Sequence, residues 1–281
     1  MYLYRFSRKE KMMQKLLLFL VLIIPGTLFS QVNQTDSNGL QQGVWQKTYP
    51  NGRLMYEGTF KDGKPVGKWN RYYEGGQIKA IIQYDENSDS AYAQLFDQWG
   101  KKMAEGVYID EKREGAWNFF SNEQKISEEE YSEGVKHGIS RKYYPTGELL
   151  EESEWQNGKQ EGNYSIYFQT GKPYMQCKFS NGRRNGLCLS YFTNGLTEME
   201  AYYKNNLRHG EWKFYNEDGD SLYSLKYDQG RLMNPEVRDS IDNLQIQSLE
   251  KNRYSLPDPE KYMQNPTEYM IQIQKIRQNS R

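Results

Sequence analysis

From residue 41 to residue 232 the chain carries no long apolar run. Short stretches rich in Tyr and Trp, mixed with polar residues, alternate with small Gly-containing clusters. Pro50-Asn51-Gly52, Gly75-Gly76, Pro145-Thr146-Gly147, Thr170-Gly171, Thr193-Asn194-Gly195 and Asp218-Gly219 are one set of clusters. Asp62-Gly63-Lys64, Asn157-Gly158-Lys159 and Asn181-Gly182-Arg183 are a second. Asn-Gly and Asp-Gly between such stretches mark tight hairpins, because both turn positions need positive φ. The pattern predicts strand, turn, strand, turn, repeated.

The repeat has a measurable period. Gly43, Gly67, Ala91, Gly115, Gly138, Gly162, Gly186 and Gly210 recur at spacings of 24 residues, with a single spacing of 23. Seventeen residues after each stands an aromatic: Phe60, Tyr84, Tyr108, Tyr131, Trp155, Phe179, Tyr203 and Tyr227. Eight such units give sixteen strands. The expected fold is an all-β repeat, an elongated antiparallel sheet of stacked β-hairpins about 75 Å long at ~4.8 Å per strand. A hairpin alone is marginal, so stability must come from its neighbours.

Parity along the strands predicts which side chains meet. If each ring marker faces the next unit's Gly marker, as Phe60 with Gly67, then positions two residues inward share a face. This pairs Gly58 with Trp69, Gly106 with Trp117, Ala201 with Trp212 and Ser153 with Tyr164. Large faces small, as close packing requires. The same arithmetic pairs Cys177 with Cys188, the two cysteines of the chain. Directly opposed antiparallel residues lie within reach of a disulfide, so a bridge is expected there. The structural ladder comprises Trp45, Trp69, Trp117 and Trp212 with Phe60, Tyr108, Phe179, Tyr203 and Tyr227. Tyr72, Tyr143, Tyr167, Tyr191 and Tyr215 fall on the opposite face, near the turns, and are the candidate partner contacts.

Both ends differ from the middle. Arg5, Arg8, Lys9, Lys11 and Lys15 precede an apolar run from Leu16 to Ile24, broken by Pro25-Gly26, with Ser30 available for cleavage. That is a secretory signal pattern over residues 1–30, implying a secreted or periplasmic mature chain without a stable membrane span. A leader, 31–42, then precedes the repeat domain, 43–232. In the tail, 233–281, Asn234-Pro235-Glu236 reads as a helix start with Asn as N-cap, and Val237, Ile241 and Leu244 share a face. Asn265-Pro266-Thr267-Glu268 starts a second helix carrying Tyr269, Ile273 and Ile276. Two short helices covering the open edge of the last hairpin is the favoured reading; a partner-binding tail is the other.

Composition narrows function. The 281 residues hold 37 basic and 37 acidic side chains, so no net field draws nucleic acid. Aromatics at 15% argue against disorder, and apolar residues at 36% against a thick aliphatic core. His137 and His209 stand three repeats apart, about 29 Å along the sheet, too far to share a metal or a substrate atom. They read as solvent-exposed turn residues. Asp85, Asn87 and Asp89 alternate like calcium ligands, but Ser90 stands where Gly is needed and Phe96 where the closing Glu is needed. Residues 85–90 thus read as a solvated connection. No catalytic, cofactor or metal site is expected.

Gly43-Val-Trp45, Tyr49-Pro-Asn-Gly52, Phe60-Lys-Asp-Gly63, Tyr144-Pro-Thr-Gly147 and Gly210-Glu-Trp212 resemble the variant MORN repeat over residues 43–230. This repeat is found in a bacterial family of toxin–antitoxin antitoxins. The resemblance implies hairpin sheets that bind proteins or membranes, with no catalytic motif residues. The expected function is a non-enzymatic scaffold for an unknown protein partner. Alternatives are an antitoxin-like protein that covers a toxin and a cell-wall glycan binder using the aromatic rows.

Overall fold

The computed structural model describes residues 32–253, 259–262, 268 and 270–272. The chain divides into two compact units, one ending at Ser88 and the other beginning at Asp89. The division falls inside the polar connection 85–90. The first unit holds β1 (Gln34–Thr35), β2 (Gln41–Thr48), β3 (Leu54–Lys61), β4 (Lys64–Tyr72) and β5 (Ile78–Tyr84). These pair antiparallel in chain order.

The second unit continues the pattern with β6 (Ser90–Phe96), β7 (Lys102–Ile109), β8 (Lys112–Ser121), β9 (Gln124–Ser132), β10 (Val135–Tyr143), β11 (Leu149–Gln156), β12 (Lys159–Tyr167) and β13 (Pro173–Ser180). It ends with β14 (Arg183–Arg184), β15 (Gly186–Tyr191), β16 (Thr197–Lys204), β17 (Leu207–Arg208), β18 (Gly210–Tyr215), β19 (Ser221–Asp228) and β20 (Arg231–Leu232). Pairing is again antiparallel between chain neighbours. β14 with β15, and β17 with β18, are single strands interrupted at a bulge, since both halves pair with the same neighbour. With those merged, and the short β1 and β20 set aside, the sixteen expected strands are present. The helix α1 (Pro235–Arg253) and a 3-10 turn (Pro259–Tyr262) follow.

Two turn types alternate. The tight turns are two-residue loops with both residues at positive φ, as at Asn157 (φ 49°) and Gly158 (φ 76°), the form whose twist matches the flanking strands. Asp110-Glu111 and Asn205-Asn206 adopt it without glycine. The wider turns span five residues. Tyr49 N donates to Arg53 O (2.8 Å) while Gly52 N donates back to Tyr49 O (2.9 Å). Unit four is the exception: with one residue fewer, its strands extend to a Ser121–Gln124 pair closed by Asn122-Glu123.

The register corrects one expectation. Phe60 faces Pro65, not Gly67. Glu57 pairs with Asn70 and Thr59 with Val66, so Gly58 alone stands opposite Gly67, Lys68 and Trp69. Gly67 takes φ +65°, a conformation open to glycine, and absorbs the extra residues as a bulge. The marker glycine instead faces the ring of its own unit: Gly43 with Phe60, Gly67 with Tyr84, Gly115 with Tyr131, Gly210 with Tyr227. Inward of the bulge the expected register holds. Ser153 pairs with Tyr164, and Met175 with Ser190, which puts Cys177 opposite Cys188. These cysteines form the disulfide, with Cα atoms 4.1 Å apart.

The core is thin and lies on the Trp face. Trp69, Trp117 and Trp212 are buried, as are Ala93, Ala104, Ala201, Ser140 and Ser153. The ring markers interleave with the indoles: Phe60 meets Trp45 at 5.6 Å and Trp69 at 4.8 Å, Tyr108 meets Trp117 at 4.8 Å, and Trp212 meets Tyr203 at 5.1 Å and Tyr227 at 5.3 Å. Phe179 packs on Tyr164 at 5.4 Å beside the disulfide. Trp69, Trp117 and Trp212 each donate their indole N–H to the backbone carbonyl ten residues earlier, at 2.9–3.1 Å. Cations stand over the rings: Arg113 lies 4.7 Å from Trp117, Lys136 4.4 Å from Trp155, Arg184 4.6 Å from Tyr203, and Arg208 5.1 Å from Trp212. A guanidinium so placed covers an indole that a single-layer sheet would leave wet, while its polar edge stays hydrated.

The segment after β20 corrects one further expectation. Asn234 does not cap α1 with its side chain. Its Oδ1 accepts from Lys226 N (2.7 Å) and its Nδ2 donates to Ser224 O (3.1 Å), so it occupies the outer edge of β19. At the other end of the chain, Asn33 does the same to β2: Asn33 N donates to Val44 O (2.9 Å) and Asn33 Oδ1 accepts from Gln46 N (2.8 Å). Of α1, Val237 packs on the cluster around Trp212, while Leu244 and Leu249 are exposed. The segment 1–30 read as a signal, and the second helix start at 265–267, lie outside the described residues.

Candidate partner-binding face

The face opposite the Trp ladder is built on a row three residues before the ring markers, polar at Glu57, Glu105, Glu128, Glu152, Gln176, Glu200 and Ser224 and apolar at Ile81. In the first unit Glu57 sits between Gln46 and Asn70. Its carboxylate accepts from Gln46 Nε2 (3.4 Å), Asn70 Nδ2 (3.2 Å) and the Tyr72 hydroxyl (2.6 Å). The hydrogen bond from Tyr72, then that from Asn70, holds the Glu57 carboxyl below its ordinary range. Burial, then Glu57, pushes the Tyr72 phenol up.

In the second unit the row runs across the strands from Gln94 opposite Glu105 to Lys213 opposite Ser224, polar throughout except at Leu189. Glu105 accepts from Lys102 Nζ (2.9 Å) and Gln94 (3.3 Å). Burial raises the Glu105 pKa, but Lys102 and Tyr92 outweigh it and lower the pKa overall. Glu128 pairs with Lys125 (2.6 Å) and Arg141 (3.5 Å), and Lys125 is the main cause of its lowered pKa. Arg141 continues to Glu152 (2.8 Å). Glu200 accepts from the Tyr215 hydroxyl (3.1 Å) and lies 3.9 Å from Lys213.

Tyr72 flanks the row of the first unit, and Tyr143, Tyr167, Tyr191 and Tyr215 flank that of the second; all five are half-buried. Tyr72, Tyr191 and Tyr215 each donate to the side chain fifteen residues earlier: Glu57, Gln176 (2.9 Å) and Glu200. Tyr143 carries Lys125 over its ring at 5.1 Å. Among the described residues the Tyr167 hydroxyl has no hydrogen-bond partner, while its backbone carbonyl accepts from Tyr144 (2.8 Å). Next to this stripe, toward the turns, Met103, Ile126, Tyr174 and Leu222 are exposed. The periodic carboxylates Glu57, Glu105, Glu128, Glu152 and Glu200 were missed by the sequence reading, although the 24-residue frame marks them as clearly as it marks the rings. A row of paired charges holding aromatic rings at regular pitch presents a surface; it gathers no nucleophile and base around one point.

The other candidates disperse. Trp45 is half-buried and Trp69, Trp117 and Trp212 are buried, so those rings offer no open platform for a sugar. His137 and His209 sit in bulges rather than turns, and His209 Nδ1 lies 3.5 Å from Asp228 Oδ1. Asp85 Oδ1 accepts from Asn87 N (2.7 Å), closing an Asx turn. Among the described residues no group of three His, Cys, Asp or Glu is arranged to hold a metal ion, and no helix is long and apolar enough to cross a membrane.

Comparison with known families agrees with this construction. The MORN repeat variant matches residues 41–62, 65–86, 136–157 and 208–229, and the MORN repeat matches 178–197. Each variant match holds one wide-turn hairpin. A search of curated proteins finds no match. Among solved structures, two of TarM, one of them a mutant of the S. aureus protein in complex with Fondaparinux, alpha-GlcNAc-glycerol and UDP, align at 15% and 14% identity over 46% of this chain, with TM-scores of 0.21 and 0.20. A Photorhabdus luminescens Tc holotoxin pore aligns at 11% identity over 70% of this chain, with a TM-score of 0.18. The chain spans 22%, 21% and 13% of those chains, and likeness at this level carries no functional argument.

Proposed function

We propose that this chain of MORN repeats is a non-enzymatic scaffold that binds another protein through its tyrosine–glutamate face. MORN repeats are in general protein- or membrane-binding modules, which supports the class. The observation that carries the choice of face is the pinning of Tyr72, Tyr191 and Tyr215 by side chains one fixed interval behind them. Rings already held in place lose little freedom on binding, and Tyr is enriched at protein interfaces for that reason. The Trp face is spent on holding the hairpins together. The basic segment and apolar run of residues 1–30 support a secreted or periplasmic site of action.

The test is affinity capture with the full chain against a Tyr191→Ala, Tyr215→Ala variant, followed by mass spectrometry. A partner captured by the parent and lost by the variant is expected. A partner retained equally by both contradicts the assignment of the face. Capture of a toxin in the cytoplasm, with residues 1–30 uncleaved, would favour the antitoxin-like role instead.

A further inference from the structure

One turn breaks the pattern of its equivalents. The third residue of each five-residue turn is Asn51, Gly75, Thr146, Thr170, Asn194 or Asp218, all small or polar. Asn51 and Asn194 bind the following turn through its backbone carbonyls, at Glu74 O (3.2 Å) and Glu217 O (2.7 Å). In the turn Asp97–Lys101 the same position is Trp99, and 75% of it is exposed. The turn that follows is the shortened Asn122-Glu123 hairpin. Between the two lies an open hollow of about 610 Å³, bounded by Asp97, Trp99, Lys101, Met103, Phe120 and Asn122.

We infer that this hollow is a binding site for a neutral saccharide, with Trp99 as its stacking wall. A volume in this range suits a small ligand rather than a protein side chain. The indole is one side of a concavity, whereas an indole that anchors a protein interface projects into a pocket of the partner. The charges around it cancel. Lys101 and Asp97 are one charge of each sign, Lys101 Nζ donates to Asn122 Oδ1 (2.8 Å), and Lys102 is paired to Glu105 (2.9 Å) while lying 4.3 Å over Phe120. The formal charges around the hollow therefore sum to zero, and no net field favours a charged ligand. The turn is rigid, since Asp97 Oδ1 accepts from both Trp99 N and Lys101 N at 2.9 Å. Asp97 Oδ2 and the Ser121 hydroxyl have no hydrogen-bond partner among the described residues, which leaves them to meet sugar hydroxyls. An exposed aromatic face with a neutral polar rim fits a pyranose ring, apolar on its faces and hydroxylated at its edge. The site does not rest on the tyrosine face reading.

Saturation-transfer NMR with the full chain and three probes, cellohexaose, maltohexaose and chitohexaose, tests it. Transfer from the indole to ring protons of at least one probe is expected. Trp99→Ala should weaken binding about tenfold and Trp99→Tyr should retain most of it. Both variants should keep the parent's melting temperature, because Trp99 lies outside the core. Absence of transfer with all three probes overturns the site, as does transfer unchanged in Trp99→Ala. Loss of a captured protein in Trp99→Ala, with no oligosaccharide bound by the parent, overturns it in favour of a protein anchor.

Discussion

The indole of Trp69 fills the space where a side chain of Gly58 would begin: a Cβ on Gly58 would stand 2.0 Å from Trp69 Cδ2. Gly106 meets Trp117 in the same way, at 2.4 Å. Gly58→Ala should therefore destabilise the chain by about 1–3 kcal/mol, since neither the indole nor the backbone can give way cheaply. In a Trp69→Ala background the same change should cost far less. Chemical denaturation of the four members of this cycle measures the coupling, and equal costs in both backgrounds would contradict the packing.

The disulfide stands where other units place a small residue opposite Trp. Its separation of 11 residues predicts a loss of roughly 2–3 kcal/mol on reduction, in the chain-entropy view. The double variant Cys177→Gly, Cys188→Trp should recover part of that loss under reducing conditions by restoring the Gly–Trp pair. Thermal melts with and without reductant compare the three.

Those two relationships were legible because Gly58 with Trp69, and Cys177 with Cys188, continue the plain antiparallel arithmetic of the pairs just inward of them, Glu57 with Asn70 and Gln176 with Leu189. The Phe60–Gly67 pairing was misread because a bulge leaves the repeat spacing unchanged while moving the register by two residues. Its signal was present in Gly67 itself: a glycine within a strand marks a bulge more often than a facing position. The glutamate row keeps the same 24-residue frame as the rings, but exposed-looking charged positions in a strand carry no packing signal of their own. Asn234 read as a helix cap because Asn before Pro fits that role; only the nearness of β19 gives its amide a competing partner.

Asn234→Ala should cost about 1 kcal/mol and leave Lys226 N and Ser224 O unpaired on an open edge. Exposed edges template pairing with other chains, so the variant should also aggregate faster. Light scattering during incubation just below the melting temperature checks this. Removing 235–281 while keeping Asn234 should have the smaller effect, since only Val237 and Ile241 of α1 are partly buried along its described face.

The carboxylates set an acid limit. Glu57, Glu105 and Glu128 have lowered pKa values in the folded chain, so their contribution is complete above the unfolded value near 4.5 and is lost as pH falls through the folded values. Tyr164 is the alkaline counterpart: burial, then Glu151, pushes it up to about 12 from 10.0. Its contribution holds below pH 10 and is lost as pH rises through about 12. Melting temperature should fall below about pH 4.5 and again above pH 10, and Tyr164→Phe should blunt the alkaline fall.

The facing of glycine and ring within each unit underlies the placement of both sheet faces, and cross-strand backbone NOEs on an isotope-labelled chain test it directly. Contacts of Gly115 with Tyr131, and of Tyr108 with Arg113, are predicted. A contact of Tyr108 with Gly115 in place of these would contradict the account.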